Sequence, residues 1–226
     1  MRRRTFCYGD QTADAKCKSL TTGLMARAKT LQSFVCTVRQ KSTRPTALRS
    51  YAAEDNMDSI YKICRVWEAV RATAAATTFF DPIQIGKYGE TFVDGGVKEN
   101  NPIARAEVEA HRLWPEQKLV ITSVGTGTAR IESFEGNLVT IAKRLKAIAT
   151  DCDEKWESFV AANKVMRDEG RLFRFTATGL EDVVLDEAGR KDLIADRTNS
   201  YLENGSTKEE LENCRRALLG QGTLGS

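Results

Sequence analysis

Residues 91–102 read TFVDGGVKENNP, an apolar run that stops on an aspartate and two glycines and restarts behind a proline. Glu90 to Val93 has strand character, Asp94-Gly95-Gly96 is a turn, and Asn101-Pro102 is a helix start, since Asn caps free amides and Pro suits a first helical position. Ile103, Ala106, Ala110, Leu113 and Trp114 then fall on one helical face, and Pro115 stops the helix. The run KLVITSV at 118–124 follows as a continuous apolar strand ending in Gly125-Thr126-Gly127. Strand, helix, strand over 90–127 predicts two parallel strands joined by a right-handed crossover, and so an α/β domain with helices covering its sheet. An ionised carboxylate at the lip of such a strand is costly unless it is paired, so Asp94 either caps a turn or does chemistry.

Upstream, SFVCTV (33–38) and TALRSY (46–51) flank the turn-forming QKSTRPT and predict a strand pair. Residues 57–78 place Ile60, Ile63, Cys64, Trp67, Val70, Ala74 and Thr77 at helical spacing, which predicts one helix with Trp67 in the core. The Ala/Thr run 72–78 at its end leaves room for another backbone to approach. Asp81-Pro82 breaks the helix, and Ile83 to Ile85 begins an extended stretch. Downstream, apolar spacing predicts helix from Ser133 to about Met166, a strand in LFRFTATGL, helices over 190–202 and 207–219, and a frayed tail at 220–226.

With 226 residues, 41% of them hydrophobic and 29% charged, the chain can bury a sizeable core, and neither a disordered nor a collagenous composition fits. Its apolar stretches fall short of the ~20 residues of a membrane span, and MRRRTFCYGDQ lacks a signal-peptide core, so a cytoplasmic or peripheral membrane location is expected. Net charge is +3, but residues 1–49 hold 11 Lys+Arg against 2 Asp+Glu. This basic start suits an anionic surface, whereas nucleic-acid binding is not expected because no aromatics interleave with the cations. The six cysteines form no C-x-x-C pair and are expected as free thiols, and neither metal nor diffusible cofactor is implied. The single histidine, His111, reads as a half-exposed structural residue on its helix, and any Ser-His-Asp mechanism would have to use it.

FVDGGVKENNP followed by LVITSVGTG resembles the C-terminal half of patatin-like phospholipase domains, and RVWEAVRATAAATTFFDPIQIG is similar to the segment preceding it. The resemblance covers most of residues 33–202 and is closest to fungal members. It implies a three-layer α/β/α fold and a lipid acyl hydrolase that uses a serine and aspartate dyad without histidine, acting on phospholipid or another acyl-ester lipid at a peripheral membrane surface. Asp94 matches the dyad aspartate, with Gly95 and Gly96 completing the Asp-Gly-Gly motif. The physical reading agrees: ligands gather outside the carboxyl ends of parallel strands, and a carboxylate there can take a serine proton across about 2.6–3.2 Å. The glycines clear side chains from that approach and permit the positive φ of a tight turn.

The chain departs from this pattern in lacking a G-x-S-x-G nucleophile elbow and a glycine-rich oxyanion loop. Both normally lie upstream of the matched segments, so the expectation is an incomplete domain over 33–219 without its first strand and elbow. Ser123 precedes a glycine turn but lacks flanking glycines and is not expected to substitute. Residues 1–32 read as an irregular basic segment in which 19–32, SLTTGLMARAKTLQ, is an insertion or a translated intron. Two functions remain: a lipid hydrolase of which this chain retains the aspartate, or a catalytically inactive remnant or interaction module of the same shape. For Asn100 and Asn101 helix capping is expected, and for Trp114 a place in the core.

Overall fold

The computed structural model describes residues 32–53, 58–76, 80–127, 151–180, 183 and 188–221. The basic segment and its expected insertion, the first part of the 133–166 helix and all but the first two residues of the tail lie outside the described residues. The remainder is mixed α/β and divides into two units, up to Pro102 and from Ile103 onward.

In the first unit β1 (Phe34–Arg39) and β2 (Pro45–Arg49) form the expected antiparallel pair, in a register that sets Val35 against Leu48. β3 (Ile83–Ile85) and β4 (Glu90–Asp94) extend this to a four-stranded sheet of order β2-β1-β4-β3. Period-2 alternation puts Phe92 of β4 beside Ile83 of β3, and Leu48, Ile85 and Phe92 join Ile60, Cys64, Ala69 and Ala72 in one buried cluster. Two helices, α1 (Asp58–Ile63) and α2 (Val66–Thr73), supply the helical side of this cluster. Ala69 and Ala72 carry only methyl groups, so α2 lies close on the sheet. β1 is buried on both faces, through Cys36 and Val38 on one and Thr37 on the other.

The expected single helix over 57–78 is thus two helices. Cys64 closes the first with its N–H on the Ile60 carbonyl, and Arg65 is extended, with φ −85° and ψ 156°. The Arg65 N–H donates to Glu68 Oε2 at 2.7 Å, which satisfies an amide that a continuous helix would have used internally. This offset turns Trp67 out of the core, leaving it 43% exposed.

A second correction concerns strand pairing. β4 does not pair with the strand after its helix. Its described neighbours are antiparallel, β1 along Phe92–Asp94 and β3 along Glu90–Phe92. The later strand, β5 (Ile121–Val124), pairs in parallel with β6 (Leu172–Phe175) in the second unit.

That unit also holds α3's successor in the chain, α4 (Ile103–Leu113), which follows the four-residue helix α3 (Gly96–Glu99) of the first unit. Ile103, Ala110 and Trp114 are buried as the apolar stripe predicts, and Ala106 and Leu113 are half-buried. Helical residues 151–162 form α5, followed by α6 (Lys164–Asp168), α7 (Lys191–Glu203) and α8 (Gly205–Leu219). Phe173, Phe175 and Cys214 make a buried cluster with Val120, Tyr201 and Ala217 packed on it. Asn204 starts α8 by accepting the Ser206 N–H, and Gly220 ends it in the left-handed region at φ 74°.

Candidate active site

Asp94 is the last residue of β4 and is half-buried. Two hydrogen bonds fix it from either side. Its backbone N–H donates to the Ala75 carbonyl at 3.0 Å, and its Oδ1 accepts the Gly96 N–H at 2.7 Å, a local Asx turn. The first bond comes from the small-residue run after α2, where the sequence predicts close backbone approach. Ala75 has no side chain beyond its methyl and is fully buried, which lets β4 reach its carbonyl.

Gly95 shows why the motif needs glycine, and the reason differs from the expected positive φ. Its φ is −67° and ψ −29°, a conformation open to any residue, and Gly96 is not among the positive-φ glycines. What forbids a side chain at 95 is space: a Cβ there would strike the carbonyl and Cβ of Cys36 on β1. That Cys36 carbonyl also accepts the Thr73 hydroxyl at 2.7 Å. The end of α2, β1 and the Asp94 turn therefore meet within a few bonds. At Gly96 a Cβ would stand 3.3 Å from Asp94 Oδ1, tight but against a side chain rather than backbone.

Asp94 thus lies at the carboxyl end of its strand as expected, but in an antiparallel sheet, so the parallel-sheet argument for ligand position does not carry over. The turn itself sets a carboxylate on the Gly96 backbone amide beside two positions stripped of side chains. Thr73 and Ala75 were not singled out by motif, and only the Ala/Thr composition of their segment signalled them. Asn100 Oδ1 accepts the Asn101 N–H at 2.9 Å, a local bond at the lead-in to α4.

Other residues weighed from sequence take structural places. His111 is exposed on the last turn of α4. Ser123 Oγ accepts from Arg174 Nη1 at 2.9 Å, and the same guanidinium binds Asp153 at 2.7 Å. Glu109 on α4 is buried beside Arg112 Nη1 at 3.4 Å, a placement that polar patterning assigns to solvent. Cys36, Cys64, Cys152 and Cys214 are free thiols, and burial first, then the Glu68 carboxylate, pushes the Cys64 thiol up to about 12. Among the described residues no group of His, Cys, Asp and Glu could hold a metal ion, and no helix is long and apolar enough to cross a membrane.

Comparison with known proteins bears on this turn directly. Residues 21–106 match the patatin-like phospholipase family. Calcium-independent phospholipase A2-gamma of Homo sapiens is 32% identical over 133 residues, covering 57% of this chain and 16% of that protein. The same enzyme of Oryctolagus cuniculus is 29% identical over 150 residues, covering 64% of this chain and 18% of the relative. Phospholipase A I of Arabidopsis thaliana is 30% identical over 113 residues, covering 49% and 8%. The chain spans less than a fifth of the length of these relatives. The stretch that matches the patatin-like phospholipase family, residues 21–106, is the one that holds the four-stranded sheet and the Asp94-Gly95-Gly96 turn.

Proposed function

We propose that this chain contributes the aspartate of a Ser/Asp dyad in a lipid acyl hydrolase, acting on phospholipid or another acyl-ester lipid at a membrane surface. The observation that carries this reading is the held carboxylate of Asp94, with Oδ1 on the Gly96 N–H and no room for a side chain at Gly95. The names of the relatives, phospholipases A2 and A, support the substrate class. In the proposed reaction Asp94 takes the serine proton as the serine oxygen attacks the acyl carbonyl. That proton passes to the departing alcohol; the same carboxylate then deprotonates water, which attacks the acyl-serine, and returns the proton to the serine oxygen as the fatty acid leaves.

The serine is not assigned, because the 226 residues hold no G-x-S-x-G and Ser123 is bound by a guanidinium. Those two observations favour the second reading, an inactive remnant or interaction module of patatin-like build. Fatty-acid release from phosphatidylcholine vesicles separates the two, measured on the protein from its natural source and on a copy carrying Asp94→Asn. Hydrolysis abolished by the substitution supports the dyad. Hydrolysis indifferent to it removes Asp94 from the mechanism, and folded protein without hydrolysis establishes the second reading.

A further inference from the structure

The ladder between β1 and β4 ends at Thr37↔Asp94, where the chain turns through Gly95 and enters α3 at Gly96. Cys36 is the next β1 residue past that end. Its carbonyl accepts the Thr73 hydroxyl at 2.7 Å, a bond that spans 37 positions of the chain, and it is the same carbonyl that a Cβ on Gly95 would strike. A helical threonine can bond its hydroxyl to the carbonyl one turn back, and this one crosses to a strand instead.

Thr73 also stands two residues before Ala75, whose carbonyl accepts the Asp94 N–H at 3.0 Å. The backbone between them is tightly wound, with the Ala74 N–H on the Val70 carbonyl and the Ala75 N–H on the Ala72 carbonyl. Ala72 and Ala75 are fully buried, and close-packed groups transmit a displacement instead of absorbing it. The Asp94 turn thus rests on two supports, the Cys36 carbonyl beneath Gly95 and the Ala75 carbonyl on its own N–H. One hydroxyl ties the two supports together.

We propose that Thr73 is a positioning residue of the candidate site: its hydroxyl sets the spacing between these supports, and so the place of the Asp94 carboxylate, without touching substrate. The catalytic consequence rests on the dyad reading of Asp94, in which a base has to lie about 2.6–3.2 Å from the proton it takes. The hold on the turn is read out without turnover.

The test is native-state hydrogen exchange of the Asp94 and Gly96 amides, whose bonds to Ala75 and to Asp94 Oδ1 fix the turn, measured against the Ser50 amide, which bonds to the Ser33 carbonyl in the same unit. In Thr73→Val both turn amides exchange roughly 2- to 10-fold faster relative to Ser50, as the loss of one such bond allows. Thr73→Ser keeps the donor and stays within about twofold of the parent. Thr73→Ala, a stronger helix former, carries the same expectation as Thr73→Val should the valine variant not fold. Ile85→Val serves as the stability control, since it trims the same core at Ile85↔Glu90, the opposite end of β4 from Asp94, and leaves the exchange ratio unchanged. With phosphatidylcholine vesicles, Thr73→Val lowers kcat roughly 3- to 30-fold, short of the ~100-fold that a 1 Å misplacement can cost, with KM within about twofold of the parent. Thr73→Ser restores kcat, and Ile85→Val changes neither constant.

Turn amides that exchange no faster in Thr73→Val than in Ile85→Val, a change that Thr73→Ser does not restore, or an effect confined to KM would each overturn the proposal. Faster exchange at the turn in a protein without hydrolysis, or with hydrolysis indifferent to Asp94→Asn, keeps Thr73 as the anchor of the turn and removes the dyad. Hydrolysis lost in Asp94→Asn but unmoved by Thr73→Val removes the positioning role and keeps the dyad.

Discussion

A methyl group meets different obstacles at Gly95 and Gly96, although the two are adjacent. At 95 it runs into the Cys36 backbone, which sits in a sheet and cannot move without disturbing β1. At 96 it meets the Asp94 carboxylate, which can give by a few tenths of an ångström. Gly95→Ala is therefore expected to cost about 1–3 kcal/mol in urea unfolding, as overpacking does, and Gly96→Ala clearly less. If Asp94 acts in hydrolysis, Asp94→Asn, which keeps an oxygen to accept the Gly96 N–H, is expected to abolish fatty-acid release while leaving this turn bonded. The position of Asp94 at a strand end was legible, since an apolar run followed by Asp-Gly-Gly has few other meanings. The role of Gly95 was not, because glycine suits both tight φ angles and close approach, and only the neighbouring strand decides between them.

Helix α2 shows how far periodicity reaches. The apolar spacing continues through Cys64 and Arg65 without a Gly, Pro or Ser/Thr cap, so nothing local announces the break. It is made by Cys64 turning into the core and by Glu68 reaching back to the Arg65 N–H. At the other end of α2 the Thr73 hydroxyl holds the Cys36 carbonyl against which Gly95 packs. Thr73→Val should lower stability by roughly 0.5–1.5 kcal/mol, the usual worth of one such bond, and Thr73→Ser should recover most of it. If Asp94 acts in hydrolysis, Thr73→Val also lowers kcat with little effect on KM, because it disturbs the turn and not the lipid contacts. Asn204→Ala at the start of α8 is expected to cost about 1 kcal/mol by the same unfolding measurement.

Over the whole molecule, strands were easier to foresee than their partners. β-branched runs and turn residues marked β1 to β6, and the parallel relation was anticipated for β5, but with β4 in place of β6. Hydrophobic pattern says that a segment is extended and which faces are buried. It does not say which neighbours a strand takes, and the described neighbours of β4 are β1 and β3. The buried thiol of Cys64 gives a measurable global consequence. Its folded pKa, pushed up to about 12 from 9.0, means that the folded chain retains a proton the unfolded chain releases. Stability is therefore full below about pH 9 and declines as pH rises toward 12, since folding then opposes ionisation. Urea unfolding across this range should show a decline that is shallower in Cys64→Ala, and alkylation of Cys64 should require unfolding at neutral pH.

Because Oδ1 of Asp94 accepts the Gly96 amide, the carboxylate cannot turn over by half a rotation without breaking a bond, and its two oxygens are no longer interchangeable. An asparagine at this position inherits that asymmetry: its carbonyl must face Gly96 and its NH2 must take the other seat. In the proposed dyad, the substitution would therefore place a donor where the aspartate offers an oxygen to the serine hydroxyl, reversing polarity as well as removing charge.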